Sequence, residues 1–342
     1  MRLRLLVPQV KPLPEARPTA CSYCQSPLLQ RHQQVPKALI DTHVRQTQAV
    51  RYRCTACGRT FRHYAQGASR YRQSQRVIGL AVLLWTLGLS QRAVAVMLAG
   101  LEASIHRSTV LRDIHRAGAF LWDRSPVGTV RVLGADETVV RMRGRAVFLG
   151  FVVDAETGTT VGVDILVERD SEAFVGWLRP YVERLGVEVL VTDDLNTYKP
   201  AVEEMGIGHQ VCLAHVRKGV TNRLKKVEGW EEEKALIQQL VRELPQDGGV
   251  LLLRLERQVQ RSPPLRRLVV DLLQRWPVLV CHQRVAGVPA TNNRTEQAIG
   301  KSKVRFKTVR GFKSPLGVMA GVALTQWLYS GAGEHDLAEL AA

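Results

Sequence analysis

Two apolar runs in this chain of 342 residues each lead into an aspartate. Val132 and Leu133 precede Asp136 in "RVLGADETVV", and the run "VEVLVT" precedes Asp193. Their length and β-branched content predict short buried strands, so both carboxylates are expected at the carboxyl-terminal edge of a strand. The sheet of such a domain would carry acidic side chains along one edge.

The segments between the two aspartates set the order of elements. "AVFLGFVVDAETGTTVGVDILV" predicts a hairpin that turns at 154–158, and "SEAFVGWLRPYVERLG" predicts a helix capped by Ser171 and ended by Gly186. A strand, a helix and the short strand "HQVCL" follow. This is the order of a ribonuclease-H-like core, in which the first and fourth strands are neighbours. It predicts that Asp136 and Asp193 lie side by side.

A third acid, Glu296, lies in the segment "TNNRTEQAIGKSKVRFKTVRGF". Thr291 or Asn292 is the expected cap of a helix that places Glu296 in its early turns. Basic residues follow the glutamate, and those predicted to contact a DNA backbone are Lys301, Lys303, Arg305, Lys307 and Arg310. The alternative is a solvated basic helix face with an incidental glutamate.

Three such carboxylates are suited to binding the metal ions that catalyse phosphodiester transfer. Two Mg²⁺ or Mn²⁺ ions about 4 Å apart stabilise both the attacking and the leaving oxygen, and hard cations prefer oxygen ligands. A single aspartate after a strand is more often a solvated turn residue, and Asp194 is a candidate for that role. The combination of three acids favours a metal site.

Three segments together resemble the acidic motifs of DDE transposases from bacterial insertion sequences: "GADET", "VTDDLNTYKPAV" followed by "CLAH", and "TNNRTEQAIGKSKVRFKTVRGF". The resemblance covers roughly residues 130–330. It implies a ribonuclease-H-like fold, divalent-metal catalysis and transposon-end DNA as substrate. Carried over by position, Asp136, Asp193 and Glu296 would be the catalytic, metal-binding triad. Asp193 is preferred to Asp194 because it directly follows the strand.

The pair Cys212-x-x-His215 after the second aspartate resembles lineages that carry a helical insertion, including Mutator-like ones. Two ligands do not make a metal site. Buried cysteine is common in protein cores, and a histidine on a helix often only hydrogen-bonds. Structural packing is therefore favoured, and a metal role stays open.

Asp193 and Glu296 are separated by 102 residues, more than the remaining elements of the core need. Leucines at helical spacing, interrupted by prolines and glycines, predict at least three helices there. We expect a helical insertion over about residues 226–285.

Two C-x-x-C pairs, Cys21 with Cys24 and Cys54 with Cys57, lie 29 residues apart in the amino-terminal third. Four thiolates around one Zn²⁺ would hold together a module too small for its own core. The long interval requires a β-ribbon, such as one containing "AVRYRC", to bring the pairs together. Disulfides are the alternative, and they are disfavoured because the chain lacks secretory features.

The next segment predicts a helix-turn-helix. Residues 89–101 predict one helix, and "HRSTVLRDIHRAG" predicts a second whose polar face offers Arg107, Ser108, Thr109 and Arg112 to DNA. Small helical cores without DNA show similar patterns. Charge favours DNA, since residues 1–127 carry 19 Lys and Arg against 5 Asp and Glu, a net +14 of the whole chain's +17.

The fold class expected is multidomain α/β: a ribonuclease-H-like mixed-sheet core with a helical insertion, preceded by a zinc-ribbon module and a helix-turn-helix domain. The expected boundaries are an extended leader (1–17), a zinc ribbon (18–66), a helix-turn-helix domain (67–127), a catalytic domain (128–225 and 286–332), the helical insertion (226–285) and a carboxyl-terminal tail (333–342).

The expected function is a DDE transposase that cleaves and joins DNA with Mg²⁺ or Mn²⁺ and carries structural Zn²⁺. The expected partners are double-stranded DNA, at transposon ends and target, and further copies of the chain. "LAVLLWTLGL" is too short to span a membrane, and six cysteines suit a reducing bacterial or archaeal cytoplasm at the nucleoid. The alternatives are a non-catalytic DNA-binding regulator derived from a transposase and a structure-specific nuclease.

Overall fold

The computed structural model describes residues 4–124, 128–331 and 333–341. The described residues form two compact units. The first comprises 4–124, 142–144 and those from 301 onward, and the second comprises 128–141 and 145–300. The first three residues of the expected leader, the expected domain boundary at 125–127, residue 332 and residue 342 lie outside the described residues.

The first unit begins with a small sheet and three helices. In chain order its elements are β1 (Arg4–Leu6), β2 (Leu29–Ala38), β3 (Gln46–Cys54), β4 (Thr60–Tyr64), α1 (Gln75–Thr86), α2 (Gln91–Gly100) and α3 (Arg107–Arg124). Strands β2, β3 and β4 pair antiparallel, and Leu29 lies opposite Cys54. The Ser74 and Ser90 hydroxyls cap α1 and α2 by accepting backbone N–H groups. The predicted strand "AVRYRC" is confirmed in β3, and the two helices predicted after it are confirmed as α2 and α3.

A mixed five-stranded sheet forms the centre of the second unit. Its elements are β5 (Val132–Met142), β6 (Arg145–Asp154), β7 (Thr160–Leu166), α4 (Ser171–Leu185), β8 (Val189–Thr192), α5 (Tyr198–Met205), β9 (Gly208–Val211) and α6 (Leu213–Leu224). The strand order is β7-β6-β5-β8-β9, with β6 and β7 antiparallel and β8 parallel to both β5 and β9. The first and fourth strands of the unit are neighbours, as the element order predicts.

Helix α4 packs its apolar stripe into the core of this unit. Phe174, Leu178 and Val182, spaced four residues apart, are buried there. Gly186, at φ +69°, ends the helix in the left-handed conformation as expected. The expected cap at Ser171 is wrong by one residue, because the Asp170 carboxylate accepts the Ala173 N–H at 2.8 Å.

Strand β5 is longer than the sequence predicts. It continues beyond Asp136 to Met142, so this carboxylate lies within the strand and not at its end. The pairing with β8 covers Val132 to Gly134, whereas β6 is the neighbour on the other side. Asp136 therefore follows the part of β5 that pairs with β8, although the strand itself runs on.

The insertion is helical, as expected. It contains α7 (Glu231–Glu243), α8 (Gly248–Gln258), a 3₁₀ turn (Val259–Arg261), α9 (Pro263–Leu279) and the short α10 (Cys281–Arg284). Leu240, Leu252, Leu268 and Trp276 are buried together with apolar residues of α6. The hydrophobic core of the insertion is therefore continuous with α6.

The chain closes with α11 (Asn293–Thr308), α12 (Pro315–Leu328), β10 (Glu334–Asp336) and a 3₁₀ helix (Leu337–Ala341). In the first unit β10 pairs parallel with β1. Helix α12 packs against α3, and the Trp122 indole donates to the Met319 carbonyl at 3.1 Å. The carboxyl-terminal residues are therefore part of the core of this unit.

Candidate functional site

Parallel register brings Asp136 and Asp193 together. Gly134 of β5 lies opposite Val191 of β8; Asp136 stands two residues further along β5, and Asp193 stands two residues after Val191, just beyond the end of β8. Neighbouring strands are about 4.8 Å apart, and residues two apart point to the same face. Both residues are half-buried. The two carboxylates therefore lie at the same level on neighbouring strands of the sheet.

Helix α11 carries the third carboxylate and is held against β5. The Asn292 side-chain amide donates to the Ala135 carbonyl at 2.8 Å, and its oxygen accepts the Thr295 hydroxyl at 2.6 Å. A Cβ built at Gly134 would overlap the Thr295 hydroxyl and lie 3.0 Å from Asn292 Oδ1. Glycine at 134 therefore permits the close approach that sets Glu296, in the first turn of the helix, near Asp136.

Burial and neighbouring acidic charges both act on the Asp136 carboxylate. Burial raises the pKa of Asp136 to about 7, with further upward contributions from Asp193, Glu137 and Glu296. Burial also raises the pKa of Asp193, again assisted by Glu137. Partly buried carboxylates that repel one another are stabilised by a bound cation. Carboxylate oxygens are the ligands that Mg²⁺ and Mn²⁺ prefer, so the donor set fits such ions.

The two adjacent aspartates have different partners. Asp194 forms an ion pair with Arg275 of α9, whose side chain is 14% exposed. Asp193 instead accepts the Leu195 N–H at 3.1 Å through Oδ1. Because the Asp194 carboxylate is already paired with a guanidinium, this arrangement favours Asp193 as the cation ligand.

A fourth carboxylate, Glu137, was not singled out from the sequence. Its side chain is 3% exposed; it pairs with Arg169 and accepts the Tyr198 hydroxyl at 2.7 Å. In the sequence, only its position directly after Asp136 in "GADET" indicates that Glu137 lies near the site. Glu137 is thus held by the buried Tyr198 and the exposed Arg169, and its charge contributes to the raised pKa of both Asp136 and Asp193.

Cys212 and His215 lie beside Glu296. Cys212 is the residue before α6, and His215 stands one turn into that helix. One ligand atom from each of these three residues lies within 4.8 Å of the other two, and His215 Nδ1 is 3.7 Å from Glu296 Oε1. A third possible ligand thus joins the pair noted in the sequence.

The four amino-terminal cysteines converge at one end of the β2-β3-β4 sheet. Cys21 Sγ lies 3.8 Å from Cys57 Sγ, and Cys24 Sγ lies 3.6 Å from Cys54 Sγ. Thiolates at about 2.3 Å from a tetrahedral Zn²⁺ are roughly 3.8 Å apart. The separations exceed the S–S bond length of about 2.05 Å, and all four thiols are free. The cluster therefore fits a zinc ion and not disulfides.

The residues predicted to read DNA stand at the start of α3. Arg107, Ser108 and Arg112 are exposed, and Thr109 is half-buried. Thr109 accepts a hydrogen bond from Arg112 at 3.1 Å. Recognition helices contact base edges through residues near their amino terminus, and the position of these side chains is compatible with that use.

One of the five basic residues predicted to contact DNA after Glu296 is buried. Arg305 is 1% exposed, its guanidinium lies 4.1 Å from the Trp85 ring centre, and it donates to the Leu89 carbonyl at 3.3 Å. Burial lowers its pKa to about 10. The prediction that Arg305 contacts a phosphate backbone is wrong, because the side chain is packed in the first unit.

The other four residues of that basic group are accessible to different degrees. Lys303, Lys307 and Arg310 are exposed, and Lys301 is half-buried.

Within the described ranges, no helix is both long and apolar enough to cross a membrane.

No protein-family model matches the chain, and no curated protein is significantly similar to it. Among solved structures, the HTLV-2 integrase catalytic core domain in complex with magnesium is similar at 17% identity and a TM-score of 0.22, over 29% of this chain and 72% of that chain. The simian T-cell lymphotropic virus intasome in complex with PP2A regulatory subunit B56 gamma is similar at 13% identity and a TM-score of 0.23, over 47% of this chain and 66% of that one.

The Drosophila P element transposase strand transfer complex is similar at 13% identity and a TM-score of 0.30, over 78% of this chain and 80% of that one. All three TM-scores are below 0.5, so these similarities carry no weight in assigning a function. The assignment depends on the geometry of the site itself.

Proposed function

We propose that the protein is a DDE-type transposase that cleaves DNA at the ends of a mobile element and joins the freed 3′-OH to target DNA. The supporting observation is that Asp136 and Asp193 stand at matching positions of two parallel strands, Asn292 ties the helix of Glu296 to β5, and burial with these charges raises the pKa of Asp136 to about 7. Carboxylates gathered in this way are costly for folding and useful for holding cations.

The three carboxylates would hold two Mg²⁺ or Mn²⁺ ions. When bound, such ions stabilise the attacking and leaving oxygens of a phosphodiester and favour formation of the nucleophile. In the first step water attacks phosphorus and the 3′-oxygen of the element leaves. In the second, that 3′-OH attacks a target phosphodiester and displaces another 3′-oxygen.

The remaining residues of the site would position the triad. Asn292 and Thr295 fix Glu296 against β5 through the Ala135 carbonyl. Tyr198 and Arg169 hold Glu137, whose negative charge adds to the field that attracts cations. A displacement of about 1 Å in such groups can lower the reaction rate by about 100-fold.

Recognition of element ends would belong to the amino-terminal region, which carries most of the net charge of +17. The four-cysteine cluster would bind Zn²⁺ as a ribbon over residues 18–66, and α3 would enter a DNA groove with Arg107 and Arg112. Strand transfer between two element ends and a target requires more than one active site, so we expect the chain to assemble as a homo-oligomer on DNA.

A strand-transfer assay tests this proposal. The substrate is a duplex bearing the inverted repeats that flank the gene, with Mg²⁺ or Mn²⁺ and a supercoiled target. We expect nicked ends and products joined to the target. Cleavage without joining would support the nuclease, whereas binding without cleavage in either metal would support the regulator.

A further inference from the structure

Glu296 belongs to two groups of residues. In the first it joins Asp136 and Asp193 in the proposed catalytic triad. In the second it joins Cys212 and His215, and one ligand atom from each of these three residues lies within 4.8 Å of the other two. The second group differs in chemistry from the first, because it offers a thiol and an imidazole with a single carboxylate.

The fold holds these three residues in place. The Cys212 N–H donates to the Thr192 carbonyl at 2.8 Å, at the end of β8, and its own carbonyl accepts the His215 N–H at 3.1 Å. The Glu296 N–H donates to the Asn292 carbonyl at 3.1 Å, and Asn292 is itself bonded to β5. The ligand atoms are therefore carried by backbone that is anchored to the central sheet.

The spacing and accessibility suit a thiophilic ion. Ligands at about 2.0–2.3 Å from a tetrahedral Zn²⁺ are roughly 3.3–3.8 Å apart, and His215 Nδ1 and Glu296 Oε1 are separated by 3.7 Å. Cys212 is buried, whereas the His215 and Glu296 side chains are 42% and 43% exposed, so an ion can reach the group from solvent. Three protein ligands leave a fourth position for water.

We propose that Cys212, His215 and Glu296 form a second metal site, specific for Zn²⁺ or a similar thiophilic divalent cation, and that its occupation inhibits the enzyme. Binding releases the Cys212 thiol proton to solvent and engages the Glu296 carboxylate. That carboxylate is then withdrawn from the Mg²⁺ site. The binding step stands independently, and the inhibition rests on the proposed function.

Cobalt spectroscopy tests binding without any assay of activity. Full-length protein is saturated with Zn²⁺ at its tightest site, freed of excess metal and titrated with Co²⁺, which does not readily displace Zn²⁺. We expect a thiolate-to-cobalt charge-transfer band that saturates at about one added equivalent per chain. The band should be absent in Cys212→Ser and weakened in His215→Asn.

Cys281→Ser is the matched control, because Cys281 is also buried in the second unit but lies outside the group of three. It should retain the band. A band that persists in Cys212→Ser, or no band in the wild-type chain, would overturn the proposal. Circular dichroism and unfolding midpoints establish that each variant is folded.

The inhibitory step is tested separately by adding Zn²⁺ to Mg²⁺-supported cleavage. We expect inhibition in the wild-type chain and in Cys281→Ser, with loss of sensitivity in Cys212→Ser. Equal sensitivity in all three would refute inhibition through this site. If the wild-type chain cleaves no DNA, the proposed function fails while the cobalt result still decides whether the site binds metal.

Discussion

At the scale of single residues, the most perturbed carboxylate of the site is that of Asp136. Burial raises the pKa of Asp136 to about 7, and the negative charges of Asp193, Glu137 and Glu296 add to that rise. Because this pKa is higher in the folded than in the unfolded chain, the folded state favours the protonated form. The contribution of Asp136 to stability is therefore present at low pH and is lost as pH rises through about 7.

Asp136→Asn should accordingly stabilise the metal-free protein by up to about 4 kcal/mol at pH 8 and by less than half of that at pH 5, since the pKa rises from 3.8 to about 7 and each pKa unit corresponds to about 1.4 kcal/mol. Denaturant unfolding at the two pH values measures this difference. Mg²⁺ should raise the stability of the wild-type chain and have little effect on the variant. Glu203→Gln, at an exposed carboxylate of α5, is the control. Equal gains at both pH values would contradict the account.

Asp194 has a different role from its neighbour, because its carboxylate pairs with the largely buried Arg275. Asp194→Asn should lower the free energy of unfolding by about 1–3 kcal/mol and leave DNA cleavage nearly unchanged. Cleavage lost in this variant while Asp193→Asn remained active would transfer the catalytic role to Asp194.

At the scale of elements, the approach of α11 to β5 depends on a glycine. Gly134→Ala places a methyl group against Thr295 and Asn292, so the helix must shift and carry Glu296 with it. We expect cleavage to fall by roughly 100-fold, as for other small displacements of catalytic groups. Thr295→Ala in the same chain should restore part of the activity by removing the overlapping hydroxyl.

Gly176→Ala is the control for that experiment, since a Cβ there meets no atom within 4 Å. It should leave cleavage unchanged. An active Gly134→Ala enzyme would show that the helix position is not critical for the site.

Elements also show what the sequence can and cannot predict. The pairing of β5 with β8 was predictable, because apolar runs and a clear hairpin fixed the order of strands. The length of β5 was underestimated, although the β-branched Thr138, Val139 and Val140 after Asp136 favour a strand. The burial of Arg305 was not predictable. Its neighbours in the sequence are basic, which indicates an exposed segment, whereas the side chain packs against Trp85, about 220 residues earlier.

The same limit applies within the site. The three acids were identifiable from their places in strands and a helix, and the resemblance to DDE motifs joined them. Glu137, Tyr198 and Arg169 were not, because their contact is made by residues separated by up to 61 positions in the chain. Sequence spacing alone does not indicate which buried carboxylate a tyrosine will meet.

At the scale of the whole molecule, most of the net positive charge and a candidate zinc site lie in the amino-terminal region, whereas the acidic site lies in the second unit. After loosely bound metal is removed, Cys54→Ser should lose the tightly bound Zn²⁺, about one ion per chain, together with specific binding to element ends. Metal analysis and end-binding assays measure both. Cys281→Ser should retain the zinc, and full zinc content in Cys54→Ser would contradict the four-cysteine assignment.

The central claim is that Asp136, Asp193 and Glu296 act together on DNA phosphates. Its most direct test is single-turnover cleavage of element-end DNA by Asp136→Asn, Asp193→Asn and Glu296→Gln in Mg²⁺ and Mn²⁺. Each variant should bind the ends as tightly as the wild-type chain and cleave no detectable DNA, because each loses a charged ligand of the metal ions. Cleavage at the wild-type rate by any of the three would contradict the claim.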